Sequence, residues 1–294
     1  MKLAVGPLLY AWSRAEVQEF YRGIAATPVD IVYLGETICP KRRALSRSDW
    51  MEIASGLAES GKQVVLSTLA LIEAASDLSL VRAVTRNGRY PVEANDMAAV
   101  RLCGADSFVA GPHLNVYNAR ALGVLRRQGA MRWVVPVELG ARQIAGILDG
   151  RPEGLEVEIF AYGRLPLAFS ARCFTARAHH YPKDHCETIC NQYPEGLQVS
   201  AQDGTPFLVL NGIQTQSARV VSLIAEREAL SALGIDVLRL SPQPRHMPEI
   251  IAMFRDVVDG RTPGHVRSIE LASLASGSLC NGYFHGGAGM EWRA

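Results

Sequence analysis

Charge of one sign is what this chain conspicuously lacks: 30 Lys and Arg stand against 29 Asp and Glu over 294 residues. A formal net charge of +1 provides no global field for a polyanion, so neither DNA nor an anionic membrane surface is an expected partner. Long hydrophobic runs are missing too. No stretch approaches the roughly 18 apolar residues that a membrane helix needs. LAVGPLLYAW, after Lys2, is short, is broken by Gly-Pro and lacks a small-residue cleavage end, so it reads as a first strand. No dinucleotide fingerprint and no P-loop follows a strand, which leaves a nucleotide-binding doubly wound sheet without support. Neither a serine nucleophile elbow nor HExxH occurs, and no Cys-His dyad can be read from the order of residues.

Cysteine is scarce but not scattered. Of six cysteines, Cys173, Cys186 and Cys190 fall within 18 residues, among His179, His180 and His185, in EIFAYGRLPLAFSARCFTARAHHYPKDHCETIC (residues 158–190). Without an export signal the expected compartment is the reducing cytoplasm, where grouped thiols bind metal or do chemistry more often than they pair. Cys186 and Cys190 are spaced i, i+4, which on one helical turn sets both sulfurs on one face. Iron–sulfur clusters and structural zinc generally take four protein ligands, so three cysteines need a fourth. A Cys-His zinc site using His185 is one solution.

Eight apolar runs alternate with amphipathic segments: KLAVGPL, VDIVYLGE, KQVVLST, RYPVEAND, ADSFVAGPHLN, MRWVVPVELG, LEVEIFAYG and IDVLRLSPQ. Most are continuous in polarity rather than alternating, as parallel strands covered on both faces require. The intervening segments, from RAEVQEFYRGIAA to VVSLIAEREALSALG, carry helical periodicity, and several stop at Gly. The expectation is an α/β fold, a TIM-like (β/α) barrel, irregular or incompletely closed, with a cysteine-rich insertion after the seventh strand. Residues 1–260 are assigned to the barrel-like domain, with the insertion at 164–217; residues 261–294 are assigned to a C-terminal tail packed on it.

Polar residues recur where the runs end, and in a parallel barrel all those ends open on one face. Glu36 and Glu93 are the candidate acid–base pair. His113, Asn115, Tyr162 and Arg239 are the candidates for contacting a substrate. Cys39 follows the second run on the same face, so Cys39, Cys173, Cys186 and Cys190 make a set of four. Cys103, at a helix end among apolar neighbours, reads as a buried thiol; the role of Cys280 stays open. Lys41, Arg42 and Arg43 read as a solvated or partner-facing patch.

The segment EIFAYGRLPLAFSARC resembles the signature of the collagenase-like peptidase family U32, approximately Glu-x-Phe-x-His-Gly-x-x-Cys-x-x-x-Ser-Gly-x-Cys. Glu158, Phe160, Gly163, Ser170 and Cys173 match, while Tyr162, Pro166 and Ala171 stand where the signature has His, Cys and Gly. VYLGETICPKRR, the Cys186-x-x-x-Cys190 pair and NGYFHGGAGMEW resemble one branch of that family, accessory proteins of oxygen-independent ubiquinone biosynthesis. The resemblance covers nearly the whole chain. It implies a barrel-like fold holding a 4Fe-4S cluster on Cys39, Cys173, Cys186 and Cys190, and a heterodimer with a U-type paralogue. It also implies a lipid-carrier-like accessory protein, anaerobic hydroxylation of the ubiquinone precursor ring, and prephenate as oxygen donor, as in RNA-hydroxylating relatives. Two alternatives stand beside it: a noncatalytic, cluster-stabilised heterodimer subunit, and a zinc-containing or RNA-hydroxylating barrel. With no protease motif present, the implied protein is not a working peptidase.

Overall fold

A computed structural model describes residues 1–104 and 106–293. Ala105, which opens the fifth apolar run, and Ala294, which ends the tail, lie outside the described residues. The first half of the chain is strictly alternating: β1 (Lys2–Val5), α1 (Arg14–Ala25), β2 (Ile31–Leu34), α2 (Arg47–Glu59), β3 (Gln63–Ser67), α3 (Ala75–Thr85), β4 (Val92–Ala94) and α4 (Met97–Cys103). Then come β5 (Phe108–Ala110), α5 (Ala119–Arg127), β6 (Ala130–Val134), α6 (Ala141–Leu148) and the long β7 (Glu156–Phe169). The excursion that follows holds α7 (Phe174–Ala178), β8 (Leu197–Ser200), β9 (Pro206–Asn211) and β10 (Gln214–Ser222). The chain ends with α8 (Arg227–Ala232), β11 (Val237–Leu240), α9 (Met247–Val258), α10 (Gly264–Leu274) and β12 (Leu279–Cys280).

Strands β1 to β7 lie side by side in order, and β11 pairs in parallel with both β7 and β1, so the ring closes. The fold is a TIM-like (β/α) barrel of eight parallel strands, and each apolar run supplies one of them. Side chains alternate across the wall. Ala4, Ile31, Tyr33, Val65, Val109, Val134 and Val237 form a cluster inside the ring, while neighbours such as Leu3, Val5, Val32, Leu34 and Val64 join the larger core beneath the helices. Both faces are dry, which is why the runs are continuous. The helices start where capping residues allow: Ser13 and Glu16 form a capping box on α1, and Ser46 and Asp49 form another on α2.

One layer of the barrel interior is ionic. Glu93 and Glu158 have no exposed surface, and Arg132 and Arg239 are 1% and 4% exposed. Arg239 Nε donates to Glu158 at 2.5 Å, and its Nη1 lies 2.7 Å from Glu93. The Tyr33 hydroxyl donates to the other Glu158 oxygen at 2.5 Å, Arg132 donates to Tyr33 at 2.9 Å and to Glu156 at 2.6 Å, and the Arg239 guanidinium stacks 4.1 Å from the Tyr33 ring centre. Burial opposes ionisation of Glu93, but Arg239 and donors from Ser67 and Asn95 outweigh it and hold the carboxyl below its usual range.

Two local expectations are corrected. The insertion assigned to start at residue 164 opens as a continuation of the seventh strand: β7 runs on to Phe169, leaving the barrel to pair antiparallel with β10. Gly163, at φ +131°, makes the turn-off, and a Cβ there would sit 2.5 Å from Ser241 Cβ. The segment read as the helix VVSLIAEREALSALG begins as strand, because Val220–Ser222 pair with β7; the helix proper is only α8.

The ionic layer yields a first prediction. Arg132→Met removes one partner of a buried network, leaves Tyr33 and Glu156 short of a donor and takes a nearby cation from Glu158. Urea denaturation is expected to show a loss of about 3 kcal/mol, the usual consequence of breaking a buried pair from one side; a loss no larger than that of a surface arginine contradicts a structural role.

Candidate functional site

The excursion between β7 and α8 folds over the strand C-terminal ends as a lid. β8, β9 and β10 form an antiparallel sheet on the outgrown half of β7, and β9 and β10 are joined by the two-residue Gly212-Ile213 turn, with Gly212 at φ +67°. A glycine at the first position of a two-residue turn between strand-like residues is a hairpin signal that sequence reasoning passed over.

The lid brings three cysteines toward the fourth. Cys39, 9% exposed, packs with Leu9, Ile38 and Ile213, and Cys173 packs against that cluster. Cys173 caps α7, its Sγ accepting from the Ala176 amide at 3.4 Å. Burial pushes the Cys39 thiol up to about 11, and the nearby Cys173 adds to the rise; burial also raises Cys173, with further upward contributions from Cys190 and Cys186. Cys39 and Cys173 thus share one cluster, Cys186 and Cys190 act on Cys173, and all four are free thiols. The donor chemistry fits a thiolate-ligated centre, although among the described residues no three His, Cys, Asp or Glu side chains form a ready cage for a single ion. Cys186 and Cys190 do not lie on one helical turn. Glu187 and Thr188 between them take left-handed conformations, separating two short 3-10 turns. Cys103 and Cys280 are buried in the main core.

The basic triplet is not simply solvated. Lys41 Nζ donates to the Lys183 carbonyl at 2.8 Å and pairs with Asp184. Arg42 donates to the Leu9 carbonyl at 2.6 Å and to Asn211 at 2.7 Å. Both tie the barrel to the lid beside Cys39, and a Cβ at Gly212 would meet the Arg42 guanidinium at 2.8 Å. Arg43 is exposed, as expected. The Trp12 indole donates to the Pro194 carbonyl at 2.8 Å, a further tether.

The strand-end residues divide among different places. Glu36 is half-buried; its carboxylate accepts from the Ile38 and Cys39 amides at 2.8 and 3.0 Å, and it lines a cleft with Tyr10, Trp12, Trp50 and Lys41. Burial raises its pKa against the pull of Arg42. Glu93 lies in the barrel floor and lines a separate chamber, so the two carboxylates do not share a cavity. His113 and Asn115 line an open cleft of about 490 Å³ at the barrel mouth, with Glu138, Phe169 and Tyr283. Arg239 lies beneath it. Tyr162 is turned away: the register slips between Arg239–Phe160 and Leu240–Tyr162, so a bulge at Ala161 sends the Tyr162 ring outward against Phe254 of α9.

A closed parallel barrel with a cysteine-bearing lid over its C-terminal mouth defines the class. The chain belongs to peptidase family U32, whose sequence profile matches residues 17–294. It is similar to the solved U32 peptidase Mk0906, with 12% identity over 83% of this chain and 93% of that one, at a TM-score of 0.45. It is similar also to an uncharacterised B. cereus protein (9% identity, 86% and 64% covered, TM-score 0.38) and to phospho-2-dehydro-3-deoxyheptonate aldolase from Thermotoga maritima (10% identity, 95% and 72% covered, TM-score 0.34).

The mouth yields a prediction with a definite sign. Burial, partly offset by Glu93 and reinforced by Arg239, pulls His113 down to about 4. An unfolded histidine titrates near about 6.5, so between pH 6.5 and 4 the unfolded chain holds the extra proton and stability falls as pH falls. Urea midpoints at pH 7 and pH 5 should drop further for the native protein than for His113→Gln; equal drops place the histidine in ordinary solvent.

Proposed function

We propose that this protein is an iron–sulfur member of the U32 family, of the branch to which UbiV belongs. In this reading it acts with a U-type paralogue in oxygen-independent hydroxylation of the ubiquinone precursor ring in the cytoplasm. The observation that carries the reading is the packing of Cys173 on the lid against the Cys39 cluster on the barrel, with Cys186 and Cys190 within electrostatic reach of Cys173. A 4Fe-4S group on these thiolates would supply electron transfer. The chain's own residues hold the four thiols: Glu36 fixes the Cys39 loop by accepting its amide, while Lys41 and Arg42 pin the lid in place. Phe174, Tyr181 and Phe207 are exposed on the lid, and exposed apolar side chains of this kind support a protein partner there. Prephenate as oxygen donor and a lipid-carrier-like accessory protein complete the proposal.

A second reading, a noncatalytic subunit stabilised by its cluster, draws on the separation of Glu36 from Glu93. With Glu93 held ionised by Arg239, the two carboxylates make no joint acid–base site in this subunit.

The test is anaerobic purification followed by iron, acid-labile sulfide and zinc analysis. About four irons and four sulfides per chain are expected, as a cubane requires. Cys39→Ala, Cys173→Ala, Cys186→Ala and Cys190→Ala should each lose them, and Cys103→Ala should retain them. Stoichiometric zinc without sulfide contradicts the proposal.

A further inference from the structure

Beneath the mouth cleft lies a chamber of about 30 Å³, and the two adjoin along Pro112, His113, Val137 and Pro166. A space of that size holds one water or one hydroxyl group. Its walls carry apolar side chains, among them Pro7, Leu9, Val134 and Phe160, and six polar ones: Asn95, His113, Ser241, Thr37, Glu93 and Arg239. Thr37, Glu93, Asn95 and Arg239 are 1%, 0%, 1% and 4% exposed, and each has a buried atom without a hydrogen-bond partner: Thr37 Oγ1, Glu93 Oε1, Asn95 Oδ1 and Arg239 Nη2. Glu93 Oε1 lies 2.7 Å from Arg239 Nη1 as an ion pair, and a carboxylate oxygen has a second lone pair with which to accept. Buried polar atoms are nearly always satisfied, and four unpartnered ones around one small chamber point to a polar ligand group there.

We propose that cleft and chamber form one binding site for an uncharged molecule with an apolar body and a terminal hydroxyl, the body in the cleft and the hydroxyl in the chamber. A hydroxyl accepts from Arg239 Nη2 and donates to Glu93 Oε1 or Thr37 Oγ1, matching an arrangement that offers both donor and acceptor. A ketone answers only the donors. A carboxylate brings a third negative charge to a guanidinium already shared by Glu93 and Glu158. The cleft is of the size that small-molecule sites occupy, and Val137, Pro166, Leu167 and Phe169 give it apolar walls. The site uses no cysteine, so it stands or falls separately from the iron–sulfur reading.

Fluorine NMR titration of the full-length protein with three probes, 4-fluorophenol, fluorobenzene and 4-fluorobenzoate, tests it. The phenol is expected to bind most tightly and the benzoate most weakly. Thr37→Val keeps the side-chain shape and removes the hydroxyl; it should weaken the phenol several-fold, up to roughly tenfold, as loss of one buried hydrogen bond does, and leave fluorobenzene unchanged. Val137→Phe, which fills the shared wall, should abolish binding of both. Benzoate binding as tight as phenol overturns the proposal. So does phenol binding no better than fluorobenzene, which means that the chamber holds water only, or phenol binding that survives Val137→Phe or falls together with fluorobenzene in Thr37→Val.

Discussion

The contact between Glu158 on β7 and Arg239 on β11 is the constraint on which the rest depends. These are the strands whose pairing closes the ring, and the pair lies where water cannot screen it. Removing either member would strand a buried charge. Because Arg239 also engages Glu93 on β4, one guanidinium ties three strands at the level of the mouth floor. The same side chain therefore closes the barrel and furnishes the charged end of the chamber.

β7 carries a second burden. Its first half belongs to the barrel and its second half to the lid, with Gly163 at the turn between them. Lid position is thus referred directly to the closing seam, and Lys41, Arg42 and Trp12 clamp it from the other side. A thiol set divided between barrel and lid needs such tethering, since one cysteine comes from the loop after β2 and three come from more than 130 residues later.

The barrel was legible because its strands are dry on both faces and so appear as unbroken apolar runs, and the polar ends marked the face that holds the mouth. The lid was less legible. Its β8 and β9 are short and partly exposed, so they carry no continuous run, and only Gly212 at the turn announced the hairpin. Tyr162 shows what pattern reading misses: one extra residue at Ala161 reverses the facing of everything after it, and no property of the side chains reveals the slip. The Glu93–Arg239 pair had no local signal either, because its members lie 146 positions apart. Lys41 and Arg42 looked solvated because a short basic run usually is.

The central claim is that Cys39 and the three lid cysteines serve one centre. Thiol alkylation mapped by peptide mass spectrometry, on anaerobic protein before and after iron chelation, addresses it most directly. The prediction is joint protection of Cys39, Cys173, Cys186 and Cys190 and their simultaneous exposure on chelation, with Cys103 and Cys280 unchanged throughout. Free alkylation of Cys39 while the lid cysteines remain protected would contradict a shared centre.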